Sequence, residues 1–387
     1  LRIIKSNLKN SKKILIFPKS NGTEDIIESF INKRSNLTFF LLPRPFLQKI
    51  FLCFFDKSYC QDYFTKLTKL KDIEKKKSYV AFLTSTFRYI EYFIKFDGFI
   101  SFNLFYYAEK YFEEVCKNLN TKFIVLHKES AFNSYEEKKA VVLYGKYNDK
   151  SISHKISVYS ESQKKLLIKS KIANKNQVVV NGTPRSDYAF KLRKIPPRGK
   201  VLVFYLIEYN RGQVFGYDKQ VNWKKLYKQT LKYLFKFAKK NPKIQIILKG
   251  KTGIHKKGHA ELNNLPQNCI FIEGGTGHEL LKNASVVIAF NSTILFETIA
   301  SNRNLIVPNF NNENKIKKNL LLEIKNKKYL INSERDFQNK IVFYLGLKYK
   351  NKKISKIDIK SLKYFLGNAN GNSCEKMKEF IERNIGC

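Results

Sequence analysis

Short apolar runs alternate with longer amphipathic stretches along the whole chain. A short apolar run bounded by polar or turn residues is typical of a buried parallel strand, and the longer stretches are typical of the helices that connect such strands. In the first half the pattern predicts strands at 12–18, 37–43, 79–85, 96–103, 122–128, 156–160 and 177–182, with helices at 104–119 and 161–171. The alternation therefore predicts an α/β fold with parallel sheets.

The alternation stops at residues 191–200, KLRKIPPRGK, which contain two prolines, one glycine and five basic residues. This composition is typical of a linker. The pattern then begins again. It predicts strands at 200–206, 244–250, 269–275, 285–291 and 304–310, helices at 222–240, 277–283, 293–301 and 313–326, and a final helical stretch at 334–387.

Two α/β units of similar size predict two Rossmann-like, doubly wound domains that face each other across a cleft, at 1–190 and 201–345. The remaining segment, 346–387, is predicted to be helical and could pack back on the N-terminal domain. Ligands of doubly wound sheets bind at the carboxyl ends of the strands. We therefore expect the functional residues to follow directly after the predicted strands.

The composition limits the class of partner. With 387 residues, 43% of them hydrophobic, the chain can bury a sizeable core. Its 73 Lys and Arg against 32 Asp and Glu give a formal charge of +41, which favours nucleic acid, anionic lipid or a phosphorylated ligand. Because the lysines are spread over the whole chain and no RNA-binding motif accompanies them, we expect an anionic membrane surface or a diphosphate ligand and no nucleic acid.

Cysteine spacing and hydropathy indicate the compartment. The six cysteines form no CxxC pair and no Cys–His spacing typical of a metal site, so they predict free thiols in a reducing cytoplasm. No apolar run is long enough to span a membrane, and the N-terminus has no secretory signal. The sequence predicts a cytoplasmic protein that could lie peripherally at the inner face of the membrane.

One apolar stretch, Leu37 to Phe55, is compatible with such a surface. Within it, five residues recur at helical spacing, namely Phe46, Leu47, Ile50, Phe51 and Phe54. They could lie on a membrane or pack on the core of the N-terminal domain. The core interpretation is favoured, since stripes of this kind are usually buried.

The most informative segment is 269–310, in which a predicted strand delivers Asn291, Ser292 and Thr293 to the start of a helix. Free N–H groups and the helix dipole at such a start favour a phosphate, and the two hydroxyls add donors. Glu297, one turn further on, can reach the hydroxyls of a ribose. Alternatively, Ser292 or Thr293 is an ordinary helix cap. The ligand interpretation is favoured because the segment follows a strand.

Segment 269–310 resembles the donor-binding half of GT-B glycosyltransferases and of the similar CDP-glycerol glycerophosphotransferases. The resemblance rests on the GG, HELLKNASVVIAFNST, LFETIA and LIVPNF runs. It implies that Ser292 and Thr293 contact the donor phosphates and that Glu297 binds the ribose. It also implies that the backbone of Gly274, Gly275 and Thr276 runs close to the nucleotide.

A second segment, 156–190, resembles the G-x-P-R-x-D junction of bacterial surface-carbohydrate and teichoic-acid transferases. Gly182 permits a tight turn, Pro184 stiffens it, and Arg185 is a planar cation suited to phosphate. Asp187 is expected to orient Arg185. An equally good interpretation is an Arg–Asp pair that fastens the interdomain hinge.

A third segment, 122–130, resembles the LHKE segment of surface-carbohydrate biosynthesis proteins, and GNANG at 367–371 resembles their closing signature. Sugar transfer needs a group that deprotonates the acceptor hydroxyl or a carboxylate that meets the anomeric carbon. Glu129 is the first candidate for this role, followed by His127 and Asp97. A single charged residue after a strand is also compatible with a solvated loop.

The fourth segment, 246–259, follows a strand with several lysines and histidines. In the related transferases a K-x-H segment at this position contacts the donor phosphates, so the resemblance implies that role for Lys249. The family's Lys-Pro-His is Lys-Gly-Lys here. A solvated basic loop is the alternative.

Together, the resemblances cover most of 96–387 and imply a GT-B glycosyltransferase. It would move a sugar from a nucleotide-activated donor to a surface or capsular polysaccharide or to a lipid-linked acceptor. The donor would lie on the C-terminal domain and the acceptor on the N-terminal domain. We expect no cofactor and no metal, because basic side chains and a helix dipole can neutralise the leaving diphosphate. The alternatives are a CDP-glycerol-type glycerophosphotransferase and a noncatalytic basic protein that binds membrane or nucleic acid.

Overall fold

The computed structural model describes residues 2–4, 11–19, 22–30, 35–56, 70–128, 135–147, 149–206, 223–250, 260–275, 277–290, 292–310 and 326–385. A first sheet has the order β1-β3-β2-β4-β5-β6-β7. Its strands are β1 (Arg2–Ile4), β2 (Lys12–Ile16), β3 (Leu37–Leu41), β4 (Gly98–Ser101), β5 (Lys122–Leu126), β6 (Lys155–Val158) and β7 (Val178–Val180). Apart from β1, which pairs antiparallel with β3, neighbouring strands run parallel.

A second sheet is parallel and has the order β10-β9-β8-β11-β12-β13. Its strands are β8 (Val201–Tyr205), β9 (Gln245–Gly250), β10 (Cys269–Glu273), β11 (Ala284–Ile288), β12 (Asn304–Pro308) and β13 (Leu330–Ile331). Counted from β8, this is the doubly wound order 3-2-1-4-5-6, in which the connection changes direction between the first and fourth strands. The two doubly wound sheets confirm the predicted fold class, and the switch point lies between β8 and β11.

Helices flank both sheets. They are α1 (Gly22–Phe30), α2 (Arg44–Phe54), α3 (Leu70–Glu91), α4 (Phe112–Asn118), α5 (Tyr135–Tyr147), α6 (Glu161–Lys169), α7 (Asp187–Leu192), α8 (Trp223–Lys240), α9 (Ile294–Ala300), α10 (Glu334–Gly346), α11 (Lys356–Leu366) and α12 (Ser373–Ile385). Short 3₁₀ turns lie at Pro184–Ser186, Ala260–Leu262, Gly277–Lys282 and Lys327–Tyr329. The helix predicted at 313–326 lies outside the described residues except for its last position.

Two predictions for the first half were wrong. Residues 79–85, predicted as a strand, lie within α3. Tyr79, Leu83 and Phe87 are buried while Phe82 is exposed, which is the spacing of a helix face and not the alternation of a strand. The helix predicted at 104–119 is confined to α4, because residues 104–111 form turns instead.

The stripe in α2 belongs mainly to the core. Leu47 and Phe51 are buried in the core beside the first sheet, and Ile50 and Phe54 pack against it. Phe46, in contrast, is 55% exposed. Within the described part of the chain, every helix is too short or too polar to cross a bilayer.

The last two helices pack against different sheets. Phe365 of α11 stacks on Phe296 of α9, with ring centroids 4.0 Å apart, beside the second sheet. Met377 and Ile381 of α12 lie in the core cluster of the first sheet. The chain therefore returns from the second sheet to the first between α11 and α12, through residues 367–372.

Candidate functional site

The candidate donor site lies at the switch point of the second sheet. Strand β11 ends at Ile288, and the chain continues through Ser292 and Thr293 into α9. Tyr205 ends the neighbouring strand β8, and its hydroxyl donates a hydrogen bond to the carbonyl of Gly277, 2.6 Å away. The segment that sequence analysis selected thus lies where a doubly wound sheet opens a crevice for a ligand.

The two hydroxyls at the start of α9 differ in their contacts. The Oγ of Ser292 accepts a long hydrogen bond of 3.5 Å from the backbone N–H of Ile294. Thr293 occupies the cap position with helical backbone angles and makes no side-chain cap hydrogen bond. Both residues are half-buried. Their hydroxyls contribute little to capping, and Asn291 lies outside the described residues.

Glu297, on α9, is a largely buried acid. It is 5% exposed, and its carboxyl group makes no hydrogen bond to any residue in the described ranges. Burial raises the pKa of this carboxyl, and the positive charges of Arg185 and His278 oppose the increase. Burying a carboxylate that accepts no hydrogen bond from its neighbours costs free energy.

Arg185 faces Glu297 from the first half of the chain. It lies in the 3₁₀ turn after β7, and its Nη1 is 3.2 Å from Oδ2 of Asp25 and 2.8 Å from the hydroxyl of Tyr159. The Tyr159 hydroxyl in turn donates to Oδ2 of Asp25 over 2.5 Å. Because all three groups are buried, the guanidinium is held in one orientation. Its charge interacts with Glu297, so acids from both halves of the chain share this cation.

The predicted partner of Arg185 was wrong. Asp187 does not contact Arg185. Its Oδ2 accepts the backbone N–H of Cys374 at 2.7 Å, at the start of α12. Burial raises the pKa of Asp187, and the hydrogen bonds from Ser373 and Cys374 oppose the increase. Asp187 therefore ties the junction to the C-terminal helix, and Asp25 orients Arg185.

The junction after β7 and the GNANG segment contact each other. Gly182 and Gly367 have φ values of 81° and 77°. A Cβ atom on Gly367 would overlap the carbonyl oxygen of Tyr159 and approach Cα of Gly182 to 2.7 Å. The backbone N–H of Thr183 donates to the carbonyl of Leu366 over 3.0 Å. The G-x-P-R-x-D junction and the GNANG segment, which lie far apart in the chain, thus form one close backbone contact next to Arg185.

Lys249 is placed at the predicted phosphate edge, where it contacts backbone. It is the penultimate residue of β9, and its ammonium group donates to the carbonyl of Gly250, 2.8 Å away, and to that of Gly274. Burial lowers the pKa of Lys249, and the carboxylates of Glu273 and Glu279 oppose the decrease.

Gly274 and Gly275 both have positive φ, of 79° and 68°, and a Cβ on Gly275 would meet no atom within 4 Å. The loop that Lys249 holds is therefore open on one side. Thr276, the next residue, lies outside the described residues.

Of the three predicted catalytic residues, the structure describes His127 and Asp97, which lie at opposite edges of the first sheet. His127 follows β5, is buried, and packs edge-on against Phe105 with ring centroids 5.4 Å apart. Asp97 precedes β4, so it lies at the opposite edge of the sheet, where it pairs with Lys12 at 3.1 Å. Glu129 lies outside the described residues. The position of Asp97 gives no support to a catalytic role, whereas His127 lies at the carboxyl edge as expected.

Sequence analysis missed three members of this site. Asp25 and Tyr159 hold Arg185, and His278 lies beside Glu297, with its ring 5.2 Å from that of Tyr188. His278 lies in the HELLKNAS run, but the resemblance gave it no role. Asp25 belongs to an amphipathic helix, where an acid near the N-terminus is ordinary. Its importance follows only from its burial.

Among the described residues, no three His, Cys, Asp or Glu side chains lie close enough together to hold a metal ion. The arrangement offers fixed cations from Arg185 and Lys249, two hydroxyls and a buried carboxyl. Such a set can bind a diphosphate and a ribose. The absence of a metal requirement remains a prediction.

The architecture is that of the GT-B glycosyltransferases, with two Rossmann-like halves and a site at the switch point of the second. Among solved structures, a variant of the wall teichoic acid polymerase TagF is similar to 98% of this chain and 90% of its own, with 11% identity and a TM-score of 0.51. TagF soaked with CDPG gives a TM-score of 0.52 at 11% identity, covering 97% of this chain and 88% of that one. A glycosyltransferase from Rickettsia africae ESF-5 gives 0.48 at 13% identity, covering 98% and 100%. No protein-family model and no curated protein matches the sequence.

Proposed function

We propose that the chain is a glycosyltransferase that moves a sugar from a nucleotide-activated donor to a surface or capsular polysaccharide or a lipid-linked acceptor. One observation carries the proposal. Glu297 is a largely buried carboxyl that accepts no hydrogen bond from the described residues, one turn beyond two half-buried hydroxyls at a sheet switch point. Ribose hydroxyls would supply the missing donors and offset the cost of burying this acid.

The donor diphosphate would lie between the start of α9 and the Gly274–Gly275 loop. There, the hydroxyls of Ser292 and Thr293 and open backbone N–H groups would donate to its oxygens. Arg185 and Lys249 would supply positive charge that stabilises the leaving group without moving, because each is already fixed by hydrogen bonds.

The acceptor would lie on the carboxyl edge of the first sheet. His127 follows β5 at this edge and is our candidate for accepting the proton of the attacking hydroxyl. Glu129 stays a candidate from its sequence position. Closure of the two halves around the donor would exclude water, whose attack would hydrolyse it.

A second candidate is a glycerophosphotransferase, in which the acceptor attacks phosphorus. It is favoured by the TagF structures, one of which was soaked with CDPG. The same cations would then stabilise charge on the transferred phosphoryl group. Donor assays distinguish the two, because a CDP-linked alditol would be consumed in place of a nucleotide sugar.

The test is a melting assay with UDP, GDP, CDP, CMP and dTDP. A nucleotide that binds the folded state raises Tm by mass action, and we expect one base to be preferred. Ser292→Ala should weaken this shift, while Ser162→Ala on α6, also half-buried, should leave it unchanged. If no nucleotide changes Tm and Ser292→Ala changes no assay, the proposed donor site is wrong. Binding that any polyanion shares would support the noncatalytic alternative.

A peripheral membrane location is also part of the proposal. At the end of α3, Tyr92 and Phe93 are 86% and 72% exposed, and Tyr89 lies against both rings. Arg88 and Lys95 flank these rings. Exposed aromatic residues beside cations are typical of segments that enter the interface of an anionic bilayer.

Sedimentation with vesicles tests this location. Phosphatidylglycerol vesicles should bind the protein and phosphatidylcholine vesicles should not. Tyr92→Ser/Phe93→Ser should reduce the bound fraction, whereas Val342→Ser/Phe343→Ser, a similarly exposed pair on α10, should not. Equal binding by both double variants would contradict a role for the end of α3.

A further inference from the structure

A cavity of about 240 Å³ lies at the edge of the second sheet opposite the candidate donor site. Lys200, Ser285 and Asn304, at the amino ends of β8, β11 and β12, form part of its wall. The other wall is the segment between α10 and α11, residues 347–352, together with the linker residues Pro197 and Gly199. We call this cavity the linker pocket.

Hydrogen bonds between separate segments hold the wall of the linker pocket. The Oγ of Ser285 donates to the carbonyl of Gly199 over 2.6 Å, and Nδ2 of Asn302 donates to the carbonyl of Lys350 over 2.8 Å. The hydroxyl of Tyr349 donates to the carbonyl of Arg193. These hydrogen bonds connect the linker, the second sheet and the segment before α11, and so hold the walls of the pocket in place.

The charge of the linker pocket has one sign. Among the described residues that line it are five cations, Lys200, Arg303, Lys348, Lys350 and Lys352, and no acid. Within the described ranges, none of the four ammonium groups forms an ion pair. Three of the lysines, at positions 348, 350 and 352, come from one short segment, and all three line the pocket.

Arg303 is a fixed charge in the wall of the linker pocket. It is 5% exposed, and its guanidinium donates to the backbone carbonyls of Leu281 at 2.7 Å and Ile195 at 3.0 Å. Carbonyl oxygens orient the guanidinium but leave its full charge uncompensated. Like charges gathered around one cavity repel each other, and a multiply charged anion would remove this repulsion.

We propose that the linker pocket is a binding site for a phosphate-bearing anion, separate from the donor site. Its volume holds several water molecules, at about 30 Å³ each, and therefore one or two phosphate groups. Lysine ammonium groups bind such groups as point charges, and Tyr349 supplies a flat wall beside them. Because the pocket joins the linker to the segment before α11, an anion here would brace the connection between the two sheets.

Calorimetric titration of the full chain with pyrophosphate at low salt tests the proposal. Lys348→Gln/Lys350→Gln should weaken binding roughly tenfold, because it removes two of the cations that line the pocket. The matched control is Lys165→Gln/Lys169→Gln, two exposed lysines on α6. This control should retain the affinity.

The source of the anion is decided with vesicles. Binding to phosphatidylglycerol vesicles that depends on Lys348 and Lys350 would indicate a lipid headgroup, whereas pyrophosphate binding without it would indicate a free anion. Pyrophosphate affinity that is the same in all variants would overturn the proposal. A loss that is as large in the α6 control would overturn it as well.

Discussion

Asp25 and Arg185 lie 160 residues apart in the chain and form a buried ion pair, with Oδ2 of Asp25 3.2 Å from Nη1 of Arg185. The carboxylate also accepts the backbone N–H of Arg185 through Oδ1, at 3.0 Å. One acid thus fixes both the backbone and the side chain of the residue that faces Glu297. In this way α1, in the first half of the chain, sets the electrostatic environment of an acid on α9.

Asp25→Ala should strongly destabilise the protein. It would leave a buried guanidinium with Glu297 as its remaining acidic neighbour, and breaking a buried pair costs about 3 kcal/mol. The control is Asp97→Ala, which breaks the partly exposed pair with Lys12 and the hydrogen bond from the backbone N–H of Lys13, and which should cost less because solvent screens this pair. Urea unfolding measures both free energies. Equal losses would mean that Arg185 is not held by Asp25.

The alternation of apolar runs predicted most strands of both sheets, because parallel strands buried on both faces carry a strong local signal, but it missed the short edge strands β1 and β13. It failed at 79–85, where a helix buries its apolar residues next to a long aromatic-rich core. Hydrophobicity alone does not distinguish a short buried strand from a buried helix turn. Only the observed exposure of the individual side chains shows that residues 79–85 follow the spacing of a helix face.

The residues of the candidate site likewise differ in how well the sequence could predict them. Ser292, Thr293 and Glu297 follow one another along the chain, so a local motif could indicate them. The partnership of Arg185 with Asp25, in contrast, depends on a contact between distant segments. Sequence proximity favoured Asp187 instead, and only the packing of α12 shows why that acid is already engaged.

Gly367→Ala should disrupt the contact between the GNANG segment and the junction after β7. Gly367 has a φ of 77°, and a Cβ there would overlap the carbonyl oxygen of Tyr159. The control is Gly199→Ala, where φ is 90° but no atom lies within 4 Å, so that the cost is backbone strain of about 1–2 kcal/mol. Thermal melts should show a clearly larger loss for Gly367→Ala. Similar Tm values would mean that backbone strain at positive φ, and not the close approach of the new Cβ to Tyr159, causes the loss of stability.

Lys249→Met should weaken nucleotide binding more than it weakens the fold. The variant loses the hydrogen bonds to Gly250 and Gly274, which are worth about 1 kcal/mol each, and it removes a cation from the donor edge. Lys236→Met, which removes an exposed lysine paired with Glu334, is the control. Titration of the preferred nucleotide should give a raised Kd for Lys249→Met alone. An unchanged Kd would exclude Lys249 from the phosphate site.

Glu297→Gln should stabilise the protein at neutral pH while it weakens nucleotide binding. Burial raises the pKa of Glu297 above its ordinary value of 4.5, so between these two pKa values the folded state binds more protons than the unfolded state. The free energy of unfolding therefore falls as the pH rises through this window, a loss that the glutamine does not suffer. We expect the variant to be about 1–2 kcal/mol more stable at pH 7, and we expect this advantage to shrink toward pH 4.5. Urea unfolding at both pH values measures it, and an advantage that is absent at pH 7 or grows with acid would contradict the buried, donor-poor state of this carboxyl.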